Sequence, residues 1–283
     1  MSLTTVRQAL QDAQSQGLDR LDAQRLLLHA WGKADQDRAW LLAHDEEALD
    51  ATITARCQEL VQRLASGEPL AYLVGYQEFF GLRLDIDARV LVPRPDTETL
   101  VQWALDVLLA AGSTRAPRVL DLGTGSGAVA LAMLHTLLAA GRKATVVAVD
   151  ASLDALAVAR ENARRLALDV QFIAGNWLAP VSGHFHAIVS NPPYVAAQDP
   201  HLAGLTHEPQ RALTSGPDGL DDIRQIIQQA PENLRRGGWL LLEHGYDQSS
   251  RVCALLAQRG FDQVQSRPDL AGVARCSGGQ WPG

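Results

Sequence analysis

The sequence predicts an α/β protein: a mostly parallel sheet with helices on both faces, preceded by a small helical bundle and a β-hairpin linker. Three observations predict it. From Arg118 onward, short β-branched runs alternate with helical stretches, the rhythm of parallel strands joined by crossover helices. Before residue 75 the apolar residues recur at helical spacing. Between the two lie a strand–glycine–strand pattern and a segment with two prolines. The expected division is a bundle over 1–75, a hairpin and Pro-rich linker over 76–98, and the α/β domain over 99–283.

In the bundle, Val6, Leu10 and Ala13 mark a first helix with Gly17 as its stop. Asp22 is expected to cap a second carrying Leu26, Leu27 and Ala30, closed by Gly32, and Asp35 to start a short third through Trp40 and Leu42. A longer helix is expected from about Glu46 to Ala65, with Leu49, Ile53, Leu60 and Leu64 inward, ended by Ser66-Gly67-Glu68-Pro69. Packing and gripping a partner are equally open roles for this bundle. Gln77 to Leu84 reads as the hairpin. In Val92-Pro93-Arg94-Pro95-Asp96-Thr97-Glu98 the prolines fix the path, and Asp96 or Thr97 suits the cap of the helix carrying Leu100, Trp103 and Leu108. An arginine held between two prolines is unusual in a plain linker, which makes Arg94 a candidate functional residue. Strands follow at Arg118–Leu122, Thr145–Val149, Val170–Ile173, His186–Val189, Trp239–Leu242 and near Val264. The helices between them are Ala128–Ala140, Leu153–Leu166, Asp221–Leu234 and Gln248–Arg259.

A net charge of −7 argues against a chain whose main partner is bare nucleic acid. Cys57, Cys253 and Cys276 are scattered and odd in number, without the spacing of a metal site or redox dithiol, as expected of free thiols in a reducing cytosol. His184 and His186 read as solvated loop residues, and no metal is expected. The first residues show no basic region followed by an apolar core, so no signal peptide is expected, and the apolar stretch Gly127 to Gly141 is too short for a membrane span. A cytoplasmic protein is the expectation.

Two segments carry chemistry. Asp121-Leu122-Gly123-Thr124-Gly125-Ser126-Gly127 joins the first strand of the α/β domain to its helix. Glycines there permit a sharp turn and close approach of a ligand, and the helix start favours a negative group. Ala128 stands where a dinucleotide fingerprint needs glycine, and there is no phosphate-loop Gly-Lys-Ser/Thr. Asp150 ends the second strand, where an acid can accept from two ribose hydroxyls. A ribonucleoside with a small anionic tail, such as S-adenosylmethionine, fits both. Trp177, after the third strand, suits either the adenine or the core. The fourth strand ends in Ser190-Asn191-Pro192-Pro193-Tyr194. Neither proline has an N–H for a sheet, so the strand stops and leaves a rigid turn. Its amide, fixed carbonyls and aromatic ring suit a planar –NH2 group, although a plain proline turn would look the same.

The chain resembles the HemK/PrmC family over nearly its whole length. The resemblance rests on Gly67-Glu68-Pro69-Leu70-Ala71-Tyr72-Leu73, Val92 to Glu98, Asp121 to Gly127 and Asn191 to Tyr194. It also rests on Glu208-Pro209 with Ala212-Leu213, Asp218-Gly219-Leu220 and Glu243-His244-Gly245. It implies a Rossmann-like S-adenosylmethionine-dependent methyltransferase domain. The implied reaction transfers a methyl group to the side-chain N5 of the glutamine in the Gly-Gly-Gln motif of class 1 peptide chain release factors, leaving S-adenosylhomocysteine. By resemblance, Gly123, Thr124, Gly125, Ser126, Gly127, Asp150, Trp177 and Asn191 bind the donor. Asn191, Pro192, Pro193 and Tyr194 hold the glutamine, with Arg94, Asp121 and Glu243 in support and the bundle recognising the substrate. No stable nucleic-acid or membrane partner is implied. The Asn-Pro-Pro-Tyr turn is shared with adenine-N6 and some guanine-N2 methyltransferases, and a ribosomal-protein glutamine methyltransferase is a further alternative; Val92 to Glu98 favours the release-factor enzymes. Asn176 stands where the family commonly has an acid, and Leu270 to Gly283 departs from its pattern. Within that tail Ser277-Gly278-Gly279-Gln280 resembles the motif the family modifies, by coincidence or as a target of self-methylation.

Overall fold

The computed structural model describes residues 4–33, 37–110 and 116–283. It divides into two compact units with the boundary after Tyr76. The first holds α1 (Val6–Ser15), α2 (Arg20–Trp31), α3 (Arg38–Ala43), α4 (Ala51–Ala65) and α5 (Leu70–Val74). Their core is Val6, Leu26, Leu27, Leu28, Leu41, Leu49, Leu60 and Val61. Two helix starts differ from expectation. Asp19, not Asp22, caps α2, accepting from Leu21 N at 2.7 Å. Asp50 caps α4, accepting from Ile53 N at 2.8 Å, so α4 begins after Leu49, which is buried from outside the helix. A side-chain oxygen that satisfies a free N–H decides where a helix begins more strongly than hydrophobic spacing does. Asp35 lies outside the described residues. The sequence reading missed α5, one turn closed by Gly75 in the left-handed conformation.

The second unit carries the hairpin strand β2 (Leu82–Asp85), paired with β1 (Tyr76–Phe79). Phe80 (φ +48°) and Gly81 (φ +76°) form the tight turn; the Phe80 N–H is held by Glu98 Oε1 at 2.8 Å. The main sheet has β3 (Arg118–Leu122), β4 (Thr145–Asp150), β5 (Val170–Ala174), β6 (Phe185–Ser190), β7 (Leu234–Glu243), β8 (Asp262–Pro268) and β9 (Ala274–Gln280), in the order β5-β4-β3-β6-β7-β9-β8. The first five are parallel, and β9 runs antiparallel between β7 and β8.

Both faces are covered, which is why β3, β4 and β6 read as unbroken apolar runs. Leu120, Leu122, Ile188, Leu240 and Leu242 pack with Ile223, Ile226, Val252 and Leu256 of α9 (Asp221–Gln229) and α10 (Ser249–Arg259). The other face meets α6 (Glu98–Ala110) and α7 (Ala128–Ala139). The apolar stretch from Gly127 is α7, buried along most of its length. No helix among the described residues is long and apolar enough to cross a membrane. The helix α8 (Leu153–Arg165) follows β4.

Three further expectations are corrected. The helix from Asp221 stops at Gln229, because Pro231 follows in a 3-10 turn, and β7 begins at Leu234 rather than Trp239. His186 is not a solvated loop residue: it lies in β6, half-buried, and its Nδ1 accepts from the Arg118 N–H at 2.9 Å. Ser277 to Gln280 is not a loose tail but the core of β9. Adding a Cβ to Gly278 would place it 2.5 Å from Leu241, and one on Gly279 2.8 Å from Phe261, so small residues there serve packing.

Candidate active site

Strand register alone brings five loops to one edge of the second unit. Leu122 lies opposite Val149 and Ser190, Asp150 opposite Ala174, and Ser190 opposite Leu242. The residues after β3, β4, β5, β6 and β7 therefore emerge side by side. The chain order reverses between β3 and β6, where open α/β sheets form their ligand crevice. A cavity of about 220 Å³ opens there, bounded by Gly123, Gly125, Asp150, Trp177, Asn191 and Pro193 among others.

Three glycines of the first loop take left-handed φ, which residues with a Cβ rarely do: +70° at Gly123, +55° at Gly125 and +85° at Gly127. Each has a different job. A Cβ on Gly123 would lie 3.2 Å from the Trp177 ring, and one on Gly127 3.0 Å from Leu131. The Gly125 N–H donates to Asp150 Oδ2 at 2.9 Å. Thr124 and Ser126 are buried and build the loop rather than line the cavity. Thr124 Oγ1 donates to Asp121 Oδ2 at 2.6 Å, and the Ala130 N–H donates to the same oxygen at 3.2 Å. Ser126 O accepts from Asn162 Nδ2 at 3.1 Å.

Asp121 is 1 % exposed, and burial pushes its carboxyl up to about 7 against the pull of those two donors. An acid whose pKa is raised by folding stabilises the fold fully below its unfolded pKa, near 4, and loses that contribution as pH rises through about 7. Asp121→Asn keeps the shape and cannot ionise. Its Tm is expected to fall less than that of the parent between about pH 5 and 8. Parallel Tm curves across that range would show that Asp121 is not the titrating group.

Asp150 Oδ1 also accepts from the Ser152 N–H, at 2.8 Å. Two backbone donors occupy one lone pair on each oxygen, leaving two acceptor sites at the cavity wall, the number a ribose diol requires. Trp177 sits at φ +46°, strained for a bulky residue, with its indole N–H on Asp222 Oδ1 at 3.0 Å. That bond fixes a flat apolar wall between Gly123 and the β5 edge. Asn176 lines the same wall.

The turn after β6 is held from behind. Ser190 Oγ donates to Leu122 O at 2.7 Å. Asn191 Nδ2 donates to Thr97 Oγ1 at 3.1 Å, which leaves Asn191 Oδ1 as the free acceptor. Pro192 is buried, and Pro193 reaches the cavity. The Tyr194 hydroxyl donates to Glu243 Oε1 at 3.3 Å, and burial drives the phenol pKa upward, so it remains a donor. Gln248 Nε2 donates to Tyr194 O at 3.0 Å, and a Cβ on Gly219 would strike that carbonyl at 2.2 Å. Only glycine permits this close approach.

Several residues of the site had no site role in the sequence reading. Thr97, read as a helix cap, is buried against Asn191 instead. Glu208 is buried, accepts from the Val92 N–H at 3.1 Å and pairs with Arg94. Glu208, held by Val92 and Arg94, thus ties the segment of Arg89, Val90 and Leu91 to the one that begins at Pro209, and both line the cavity. Asp222 and Ser152 were also missed. The partners of Thr97, Glu208 and Asp222 come from loops distant in sequence, which no local pattern announces, whereas Ser152 binds Asp150 two residues away and caps α8.

A parallel sheet closed by an antiparallel final pair, with a carboxylate at the end of its second strand beside a glycine loop, is the arrangement of the S-adenosylmethionine-dependent methyltransferase class. The comparisons agree. Residues 100–218 match the methyltransferase small domain, and residues 2–75 the PrmC N-terminal domain. The fold resembles the hMettl16 catalytic domain solved with MAT2A 3′UTR hairpin 1 (TM-score 0.58, 17 % identity, 86 % of this chain and 85 % of that one). It also resembles a methyltransferase from Pyrococcus furiosus (TM-score 0.52, 20 % identity, 72 % and 90 %). The chain belongs to the release factor glutamine methyltransferase family. It is 48 % identical to the member from Burkholderia pseudomallei, over 94 % of this chain and 93 % of that one. It is 46 % identical to the member from Bordetella pertussis, over 93 % and 95 %.

Proposed function

We propose that this protein methylates the side-chain amide nitrogen of the glutamine in the Gly-Gly-Gln motif of class 1 peptide chain release factors, with S-adenosylmethionine as donor. The observation that carries this reading is the Asn191 amide: its Nδ2 is committed to Thr97 while the residue lines the cavity, which leaves Oδ1 as the acceptor available to a bound amide. An amide nitrogen is a weak nucleophile, because its lone pair is delocalised into the carbonyl. Asn191 Oδ1 and the Pro192 carbonyl accept its two hydrogens, aim the nitrogen and draw charge onto it, while Tyr194 covers the amide plane. With no strong base in direct reach, orientation and preorganised dipoles supply most of the acceleration. The donor brings an electrophilic methyl on a sulfonium. The residues present fit it: Asp150 keeps two acceptor sites for the ribose, Gly123 leaves room against Trp177, and the loop N–H groups favour a carboxylate. The first unit, residues 1–76, would contribute to recognising the release factor, and the free cysteines suit a reducing cytoplasm.

The test is methyl transfer from labelled S-adenosylmethionine to purified release factor, beside its Gln-to-Ala motif variant and a DNA/RNA mixture. Label in the unaltered factor alone is expected. Label in nucleic acid, or in neither, would overturn the reading.

A further inference from the structure

Behind the Asn-Pro-Pro-Tyr turn lies a carboxyl that the proposed reaction does not touch. Glu243, the last residue of β7, is one register position beyond Leu242, which pairs with Ser190, and so lies next to Asn191. It is 1 % exposed. Its Oε1 takes the Tyr194 hydroxyl at 3.3 Å. The Thr97 hydroxyl, which accepts from Asn191, is near enough to hold the carboxyl's pKa down, yet no hydrogen bond joins the two, and Oε2 is buried with no partner. A buried, half-satisfied carboxylate is costly, and burial of a hydrophobic isostere here would cost less.

We propose that Glu243 is a positioning residue that sets the orientation of the Asn191 amide through Thr97, and that only its ionised form does so. This rests on the methyltransferase reading above. The argument is one of hydrogen-bond polarity. Thr97 Oγ has one hydrogen to give. When Glu243 is a carboxylate it draws that hydrogen toward itself. The Thr97 lone pairs then face Asn191 and must meet a donor, Nδ2, as observed. Asn191 Oδ1 is left facing the substrate amide. When Glu243 is protonated it can donate to Thr97 instead, and the Thr97 hydrogen turns toward Asn191. That favours the flipped amide, which presents N–H groups to the substrate N–H groups. The same carboxylate anchors the Tyr194 hydroxyl, so one charge aligns two residues of the turn.

The groups around it make this charge responsive near neutral pH. Burial raises the Glu243 pKa to about 7; Asp96 adds to the rise, and Arg275, with the Thr97 and Tyr194 hydroxyls, opposes it. Cys276 lies opposite Glu243 on β9, where the carboxyl helps to keep the thiol protonated. Arg275 is shared between Asp96 at 3.3 Å and Asp269 at 3.1 Å.

The test is the pH profile of kcat for release-factor methylation at saturating S-adenosylmethionine, for the parent, Glu243→Gln, Thr97→Val and Thr97→Ser. At saturating donor, kcat reports groups that titrate in the donor complex, so an effect of Asp121 on donor binding does not enter it. In the parent, kcat is expected to rise with pH as one ionisation with a midpoint near neutral. Glu243→Gln flattens that rise and lowers the plateau about tenfold or more, with donor affinity and KM for the factor little changed. Thr97→Val does the same, and Thr97→Ser restores both the rate and the pH dependence. Parent-like profiles in Glu243→Gln, or equal rates in the two Thr97 variants, would overturn the proposal. If Glu243→Gln fails to fold, the Val/Ser comparison decides alone. A parent that methylates nothing would remove the function reading itself, and the inference with it.

Discussion

Asn191→Ala is expected to lower kcat by about a thousandfold or more, on the order of 4 kcal/mol in the barrier, while donor affinity stays within about tenfold. The asymmetry follows from what the side chain does. Asn191 lines the cavity, and because Nδ2 is bound to Thr97, Oδ1 is the group that the proposed reaction uses to hold the acceptor amide. Alanine removes the acceptor that aims the nucleophile, and it leaves Gly123, Asp150 and Trp177 in place. An amide has no second means of raising its reactivity, so orientation lost here is not recovered elsewhere. Single-turnover methylation with donor titrated separately reads both quantities. Turnover within tenfold of the parent would remove Asn191 from the reaction.

Asp150→Ala is expected to act on the other side of the cavity, weakening S-adenosylmethionine binding by about a hundredfold or more with a much smaller change in kcat at saturation. Two charge-assisted hydrogen bonds to the ribose are lost, each worth about 1.5–3 kcal/mol. The Gly125 and Ser152 N–H groups lose their common acceptor, which loosens the loop that borders the cavity. Asp150→Asn keeps one acceptor oxygen and should fall between. Calorimetric titration of all three proteins checks the order; an alanine variant that binds donor within threefold of the parent would place the ribose elsewhere.

Much of the fold was legible because it is carried by local pattern. Apolar runs located β3 to β6, and the left-handed glycine stop at Gly32 closed its helix as its chemistry requires. What failed was also local in origin. The period of Leu49 matches the α4 face, yet Asp50 caps the helix after it. β9 was invisible because its glycines lower strand propensity. It is a strand only because Gly278 and Gly279 let it pass between Leu241 and Phe261.

By itself the sequence determined the order of strands and helices from β3 to β8, the glycine loop, the acid at Asp150 and the rigid turn at Asn191 to Tyr194. Each depends on backbone freedom or restriction that a residue carries wherever it sits. The tertiary structure alone decided which way the Asn191 amide points, which charge stands behind it, and that Glu208 joins Arg94 and Val92 across the cavity rim. Those are properties of partners brought together from residues 97, 191, 208 and 243, and burial gives them their strength. A hydrogen bond or charge that is weak in water acquires direction and a shifted pKa only once the sheet has excluded the solvent around it.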